Sequence, residues 1–151
     1  MAGLYIHIPF CRTRCIYCDF HSGTDMSVQE QYIDALCTEL DMRIAELQGA
    51  PIYTLYIGGG TPSQLSAASL QRLFTHLSKY IDWQQCHEVT IECNPDDLSE
   101  QYIATLRTLP INRISMGIQS FDDNDLRFLC RRHSAQGAID AIARCQSAGY
   151  D

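Results

Sequence analysis

Leu4-Tyr5-Ile6-His7-Ile8-Pro9-Phe10-Cys11-Arg12-Thr13-Arg14-Cys15-Ile16-Tyr17-Cys18 is the stretch whose reading decides the fold. Its first five residues are rich in β-branched and aromatic side chains and predict a strand over 4–8. Three cysteines then fall within eight residues, spaced Cys11-x3-Cys15-x2-Cys18. A strand that runs straight into a knot of thiols sets reactive groups just past a strand end.

Outward from that stretch, strand-like and helix-like segments alternate. A helix is predicted over 27–47, with Tyr32, Ile33, Leu36, Leu40, Ile44 and Leu47 at three- and four-residue steps. Ser27 and Glu30 read as a capping box, and Gly49 and Pro51 stop the helix. Strands follow over 52–57, 89–93 and 113–118. Helices follow over 66–80, 99–109, 123–129 and 134–148. In 66–80 the inward residues are Leu70, Leu73, Phe74 and Leu77; in 134–148 they are Ala138, Ile139, Ile142 and Cys145. Gly149 stands where a C-terminal glycine cap belongs. This pattern predicts an α/β fold with a parallel sheet, either barrel-type or doubly wound. Tyr150-Asp151 reads as the start of a fifth strand, so the chain is expected to be the N-terminal part of a larger unit.

The unusual residues share one position. The cysteines follow the first strand and Gly58-Gly59-Gly60-Thr61-Pro62 follows the second. Glu92 and Asn94 end the third, and Gln119 ends the fourth. In parallel α/β sheets and barrels the carboxyl ends of the strands form the ligand face.

The spacing of Cys11, Cys15 and Cys18 suits an iron–sulfur cluster, whose ligands are thiolates. Three ligands on a cubane leave one iron open. A structural zinc site with His21 as fourth ligand is the alternative, although zinc motifs bring a second ligand pair from farther along and none is evident. Three incidental cysteines are the remaining alternative, and the spacing is a strong signal for the cluster. Of the others, Cys37 and Cys145 fall on helical core faces, while Cys86, Cys93 and Cys130 show no ligand spacing. His7 is expected to face the barrel interior, and His76 and His87 to lie on the surface.

Composition narrows the classes. The net charge is −7 and Lys79 is the only lysine. That argues against a nucleic acid held through phosphates. No apolar run has the ~18–20 residues of a membrane span, and no secretory leader is evident, so a cytoplasmic location is expected. In such a chain a tight cysteine cluster reads as metal-binding rather than disulfide-forming.

Cys11-Arg12-Thr13-Arg14-Cys15-Ile16-Tyr17-Cys18 resembles the signature of the radical S-adenosylmethionine (SAM) superfamily, in which an aromatic residue, here Tyr17, precedes the last cysteine. The flank Tyr5-Ile6-His7-Ile8-Pro9-Phe10-Cys11 is similar to its coproporphyrinogen dehydrogenase-like branch, which holds the anaerobic coproporphyrinogen III oxidases and the haem chaperones of the HemW kind. The likeness extends from Leu4 to His133. It implies a partial (β/α)6 TIM-like barrel of which residues 1–151 supply the first four βα units as one incomplete domain. It also implies a [4Fe–4S] cluster on Cys11, Cys15 and Cys18, with the open iron chelated by the amino and carboxylate groups of SAM. An electron, from a donor such as flavodoxin or ferredoxin, then splits the sulfonium to a 5′-deoxyadenosyl radical.

The same resemblance assigns cofactor contacts. Gly59, Gly60 and Thr61 match a motif that meets the SAM amino group; a tight turn is the plain alternative. Glu92 matches a SAM-contacting glutamate, against a solvated strand-end acid. Gln119 matches a strand-end glutamine. Arg131 matches an arginine that reaches the SAM carboxylate, against a surface ion pair. Tyr17 is grouped with the cofactor contacts, and Tyr5 matches a substrate- or cofactor-contacting tyrosine, against a core aromatic. Within the branch, the dehydrogenases resemble C-x3-C-x2-C-x-C, but Phe20 stands at the fourth cysteine here. Cys18-Asp19-Phe20 and Arg131-Arg132-His133-Ser134 look like the chaperones, although Cys130 stands where those usually carry glycine. The resemblance therefore implies haem as cargo. An oxidoreductase that decarboxylates coproporphyrinogen III and a zinc-stapled domain remain the alternatives.

Overall fold

Four strands, β1 (Ala2–Ile8), β2 (Ile52–Gly59), β3 (Glu88–Cys93) and β4 (Arg113–Met116), form one parallel sheet in the order β1-β2-β3-β4. The computed structural model describes residues 2–150. A doubly wound sheet reverses its strand order at a switch point, whereas this order runs in one direction. The sheet is therefore of the barrel type, and the choice between the two windings is settled. Helices α1 (Gln29–Arg43), α2 (Ala67–Leu77) and α3 (Glu100–Leu106) connect successive strands, and α4 (Asp123–Phe128) and α5 (Ala135–Ser147) follow β4.

Register sorts the two faces. Ile6 lies opposite Ile57, Ile57 opposite Ile91, and Ile91 opposite Ile114. With Ile8, Leu55, Val89 and Cys93 these residues form a core with Ile33, Leu70, Leu73, Leu77, Ile103 and Leu106 of the helices. Fully burying one such side chain contributes about 1.5–3 kcal/mol. Successive side chains alternate between faces, so Tyr5, His7, Tyr56, Glu92 and Ser115 share the other face, away from those helices.

Ser66, Ser99 and Ser134 each accept the backbone N–H three residues on and cap α2, α3 and α5. Ser27 does not cap α1. Its hydroxyl and N–H both donate to Asp25 Oδ1, at 2.6 and 2.9 Å, and Val28 occupies the cap position without a side-chain bond. The nearer carboxylate outcompetes the helix end for that hydroxyl. The expected helix over 27–47 ends as a 3₁₀ turn, Ile44–Leu47, followed by Gln48 and Gly49 at φ of 51° and 77°.

Three further expectations need correction. β4 stops at Met116, because Gly117 N–H makes the last ladder bond, to Cys93 O, before the backbone turns at Gln119. In α5, Ile139 is 48% exposed; the helix rests instead on Ala138, Ala141 and Cys145. His76 is half-buried rather than a free surface residue, with Nε2 2.7 Å from Asp41. Gly149, at φ of 84°, ends α5 as expected, and Tyr150 N–H closes on Cys145 O at 3.0 Å. The fifth strand expected to begin at Tyr150-Asp151 would run past Tyr150, the last of the described residues. Among the described residues no helix is long and apolar enough to cross a membrane.

Candidate functional site

The cysteine segment leaves β1 and is closed at its neck by backbone bonds. Gly23 N–H donates to Pro9 O at 2.7 Å and Cys11 N–H to Gly23 O at 2.9 Å. Inside the neck, Cys18 N–H bonds Cys15 O at 3.1 Å and turns the chain back. His7 holds the far limb: its Nε2 lies 2.8 Å from the His21 carbonyl and its Nδ1 3.1 Å from the Tyr5 hydroxyl. A carbonyl only accepts, so the proton sits on Nε2 and Nδ1 accepts from Tyr5.

The glycine run meets this segment from β2. Gly60 N–H donates to Ile8 O at 2.7 Å, and a Cβ on Gly60 would fall 2.9–3.0 Å from the backbone of Phe10, Ile8 and Pro9. Gly59 has a φ of 116°, and its N–H donates to Glu92 Oε2 at 3.0 Å. The glycines thus serve the approach of one strand end to another as well as leaving room for a ligand. Next along, the buried Thr61 hydroxyl points at the Cys11 sulfur, 3.5 Å away.

Glu92 is held on both oxygens. Tyr56 OH donates to Oε1 at 2.7 Å, opposite the Gly59 bond. Burial, with the carboxylate beside it, pushes the Tyr56 hydroxyl above its usual range and keeps it a donor. Tyr56 stacks on Tyr5, with ring centroids 6.1 Å apart. Tyr56 is the partner that sequence reasoning missed; only the β2–β3 register could have shown that it shares a face with Glu92.

Arg131 closes the far side. Its Nη1 lies 3.3 Å from Cys15 Sγ, and its Nη2 donates to Asn94 Oδ1 at 2.7 Å and Gly117 O at 2.5 Å. The buried Nε has no partner. Gln119 and Cys130 both adopt left-handed backbone, at φ of 70° and 58°. Tyr17, in the cysteine segment, has its phenol pushed above the usual range, first by burial and then by the Cys15 thiol.

These groups surround one cleft of about 340 Å³. Of the residues singled out from sequence, Cys11, Cys15, Tyr17, Cys18, Gly59, Gly60, Thr61, Glu92, Gln119 and Arg131 line it. Tyr5 does not; it lies beyond Tyr56 on the same sheet face and is 56% exposed. Among the described residues no three His, Cys, Asp or Glu side chains gather tightly enough to hold a single metal ion. The donor set fits a thiolate-bound cluster with an anionic co-ligand. Three soft ligands share the cleft, two of them meet a hydroxyl or a guanidinium, and one buried guanidinium N–H is still free.

The radical SAM superfamily matches this chain over residues 5–151. The chain belongs to that superfamily, which implies a [4Fe–4S] cluster and SAM. It is similar to the heme chaperone HemW of Lactococcus lactis subsp. lactis, with 39% identity over 147 residues, covering 97% of this chain and 38% of that protein. HemW of Escherichia coli is 37% identical over 149 residues, covering 97% of this chain and 39% of that protein. The chain thus spans less than two fifths of these curated relatives. Among solved structures, coproporphyrinogen III oxidase HemN from Escherichia coli, described as a radical SAM enzyme, superposes with a TM-score of 0.87. It is 29% identical, and the match covers 98% of this chain and 35% of that one. The cobalamin-dependent radical enzyme OxsB shares the fold at a TM-score of 0.65 and 14% identity, over 99% of this chain and 23% of that one.

Proposed function

We propose that this chain is the cluster- and SAM-binding part of a haem chaperone. The observation that carries the reading is that Thr61 reaches Cys11 and Arg131 reaches Cys15. The thiols, the glycine run and the arginine therefore act on one cleft. In this reading Cys11, Cys15 and Cys18 hold the [4Fe–4S] cluster. Gly59, Gly60 and Thr61 offer backbone and hydroxyl groups to the amino end of SAM. Arg131, whose guanidinium lines the cleft, faces the SAM carboxylate. Glu92, whose oxygens keep lone pairs beyond those used by Tyr56 and Gly59, and Gln119 receive the polar groups of the nucleoside. Tyr17 packs over the cleft mouth. When bound, the cluster and SAM supply one-electron radical chemistry, and an external donor of the flavodoxin or ferredoxin type supplies the electron. Haem is proposed as the cargo because the similar curated proteins are named heme chaperones.

Phe20 at the place of a fourth cysteine favours the chaperone over decarboxylation of coproporphyrinogen III. The likeness to HemN is the observation on the other side. Anaerobic reconstitution with iron and sulfide tests the site. The expected product is brown, with a broad band near ~400 nm and about four irons per chain, and Cys15→Ala abolishes it. Stoichiometric haem uptake without vinyl product from coproporphyrinogen supports the chaperone. Vinyl product would establish the enzyme, and a colourless protein containing zinc would overturn both.

A further inference from the structure

Two adjacent arginines point to different walls of the site. Both line the cleft, but Arg131 reaches a thiol and Arg132 turns to two carboxylates. Arg132 Nη2 lies 2.6 Å from Asp96 Oδ2 and 3.0 Å from Asp97 Oδ1. Its side chain is 19% exposed and that of Asp97 only 9%. Both oxygens of Asp97 are engaged: Oδ2 accepts from Ser63 Oγ and from Gln64 Nε2, each at 2.6 Å. Ser63 Oγ in turn accepts from Asn94 N–H at 3.1 Å, and Asn94 Oδ1 accepts from Arg131 at 2.7 Å.

Followed around, the bonds form a ring. Arg131 leads to Asn94, Ser63, Asp97 and Arg132, and the peptide bond returns to Arg131. The ring ties together three segments that meet only in the fold: the turn after β2, the turn after β3 and the stretch that follows α4. Two thiols lie beside it. Ser63 lies two residues past Thr61, which reaches Cys11, and Arg131 reaches Cys15.

We propose that Arg132 and Asp97 are a positioning pair, which locks the orientation of Arg131 and the Thr61 turn and thereby sets the affinity of the cleft for SAM. The inference rests on the reading of the cleft as a cluster and SAM site. An exposed ion pair would contribute about 0–1 kcal/mol and orient nothing. This pair is mostly buried, has both Asp97 oxygens engaged and is built on an arginine whose Nη2 meets Asp96 and Asp97 at once; a lysine would have to bring its shorter, more strongly hydrated ammonium to the same point. Groups that orient binding residues from behind cost about 10–100-fold in affinity or activity when removed.

The test uses the anaerobically reconstituted protein and four variants: Arg132→Gln, Asp97→Asn, their double, and Arg132→Lys. Iron per chain, melting temperature and SAM affinity are measured, the last by titration of the reduced cluster's electron paramagnetic resonance signal. The expected result is wild-type iron content with SAM binding weakened about 10–100-fold in each single variant. The double should be no weaker than the worse single, and Arg132→Lys should restore only part of the loss. SAM affinity within about twofold of wild type in cluster-loaded variants, or losses that simply add, would overturn the proposal. Should the charge variants fail to fold, Ser63→Ala decides, because it removes one hydroxyl from the ring. About fivefold weaker SAM binding supports the pair, and unchanged binding overturns it. A wild-type protein that takes up neither cluster nor SAM refutes the functional reading itself. A wild type that binds both, with indifferent variants, refutes only the positioning pair.

Discussion

Arg131 Nη1 lies 3.3 Å from the sulfur of Cys15, across 116 positions of sequence. A guanidinium beside a thiolate stabilises its charge, and hydrogen bonds to ligand sulfur help to set a cluster's potential. Arg131→Gln is therefore expected to shift the cluster to a more negative potential, since the reduced, more negative form loses a neighbouring cation. A redox titration of the reconstituted protein checks this. An unchanged potential would mean that the Arg131 contact does not reach a cluster ligand.

Gly60→Ala should destabilise the fold by about 1–3 kcal/mol. Its Cβ would press on backbone atoms of Phe10, Ile8 and Pro9, which cannot swing aside as a side chain can. Gly23→Ala is the control, because a Cβ there meets nothing within 4 Å and its φ is unremarkable. It should stay within about 0.5 kcal/mol of wild type. Urea unfolding of both variants reads the difference, and equal effects would contradict the close approach of the two strand ends.

Cys130 holds left-handed backbone at φ of 58° with an exposed side chain. A residue with a Cβ costs about 1–2 kcal/mol in that region, whereas glycine enters it freely. Cys130→Gly is expected to raise stability by about 1 kcal/mol, less the extra entropy of glycine in the unfolded chain. A lower melting temperature for the variant would show that the Cys130 side chain makes a contact that matters.

His133 is buried, with Nε2 3.0 Å from the Ile118 carbonyl. Burial pulls its pKa below the ordinary value of 6.5, with the hydrogen bond to Ile118 opposing and the Arg131 charge adding to the shift. The unfolded chain then takes up a proton before the folded one does. The stabilising contribution of the neutral ring is complete above about pH 6.5 and is lost as pH falls below that toward the folded pKa. Melting temperature should fall between pH 7.5 and pH 5 more steeply in the wild type than in His133→Gln. Parallel slopes would show that the loss comes from other groups.

Much of this site is legible in the chain because its information is local. Alternation of β-branched runs with helical periodicity, and serine caps at Ser66, Ser99 and Ser134, depend on neighbours within a few residues. The three cysteines are read from spacing alone. Local reasoning failed where two local partners competed, as when Asp25 took the Ser27 hydroxyl from α1. It also failed where packing, rather than hydrophobicity, chose the buried face, as when small Ala138 and Ala141 displaced Ile139.

By itself, then, the sequence determined the α/β alternation, the thiol spacing and the placement of the unusual clusters at or just past strand ends. Tertiary structure alone decided that the sheet winds in one direction, that Tyr56 pairs with Glu92, and that Tyr5 stands outside the cleft its neighbours line. It alone separated Arg131 from Arg132, sending one to a thiol and the other to two carboxylates. The reason is physical: propensity and spacing act over a few residues. Strand order and register set which groups meet across a sheet, and a one-residue shift in register would move each of these side chains to the opposite face.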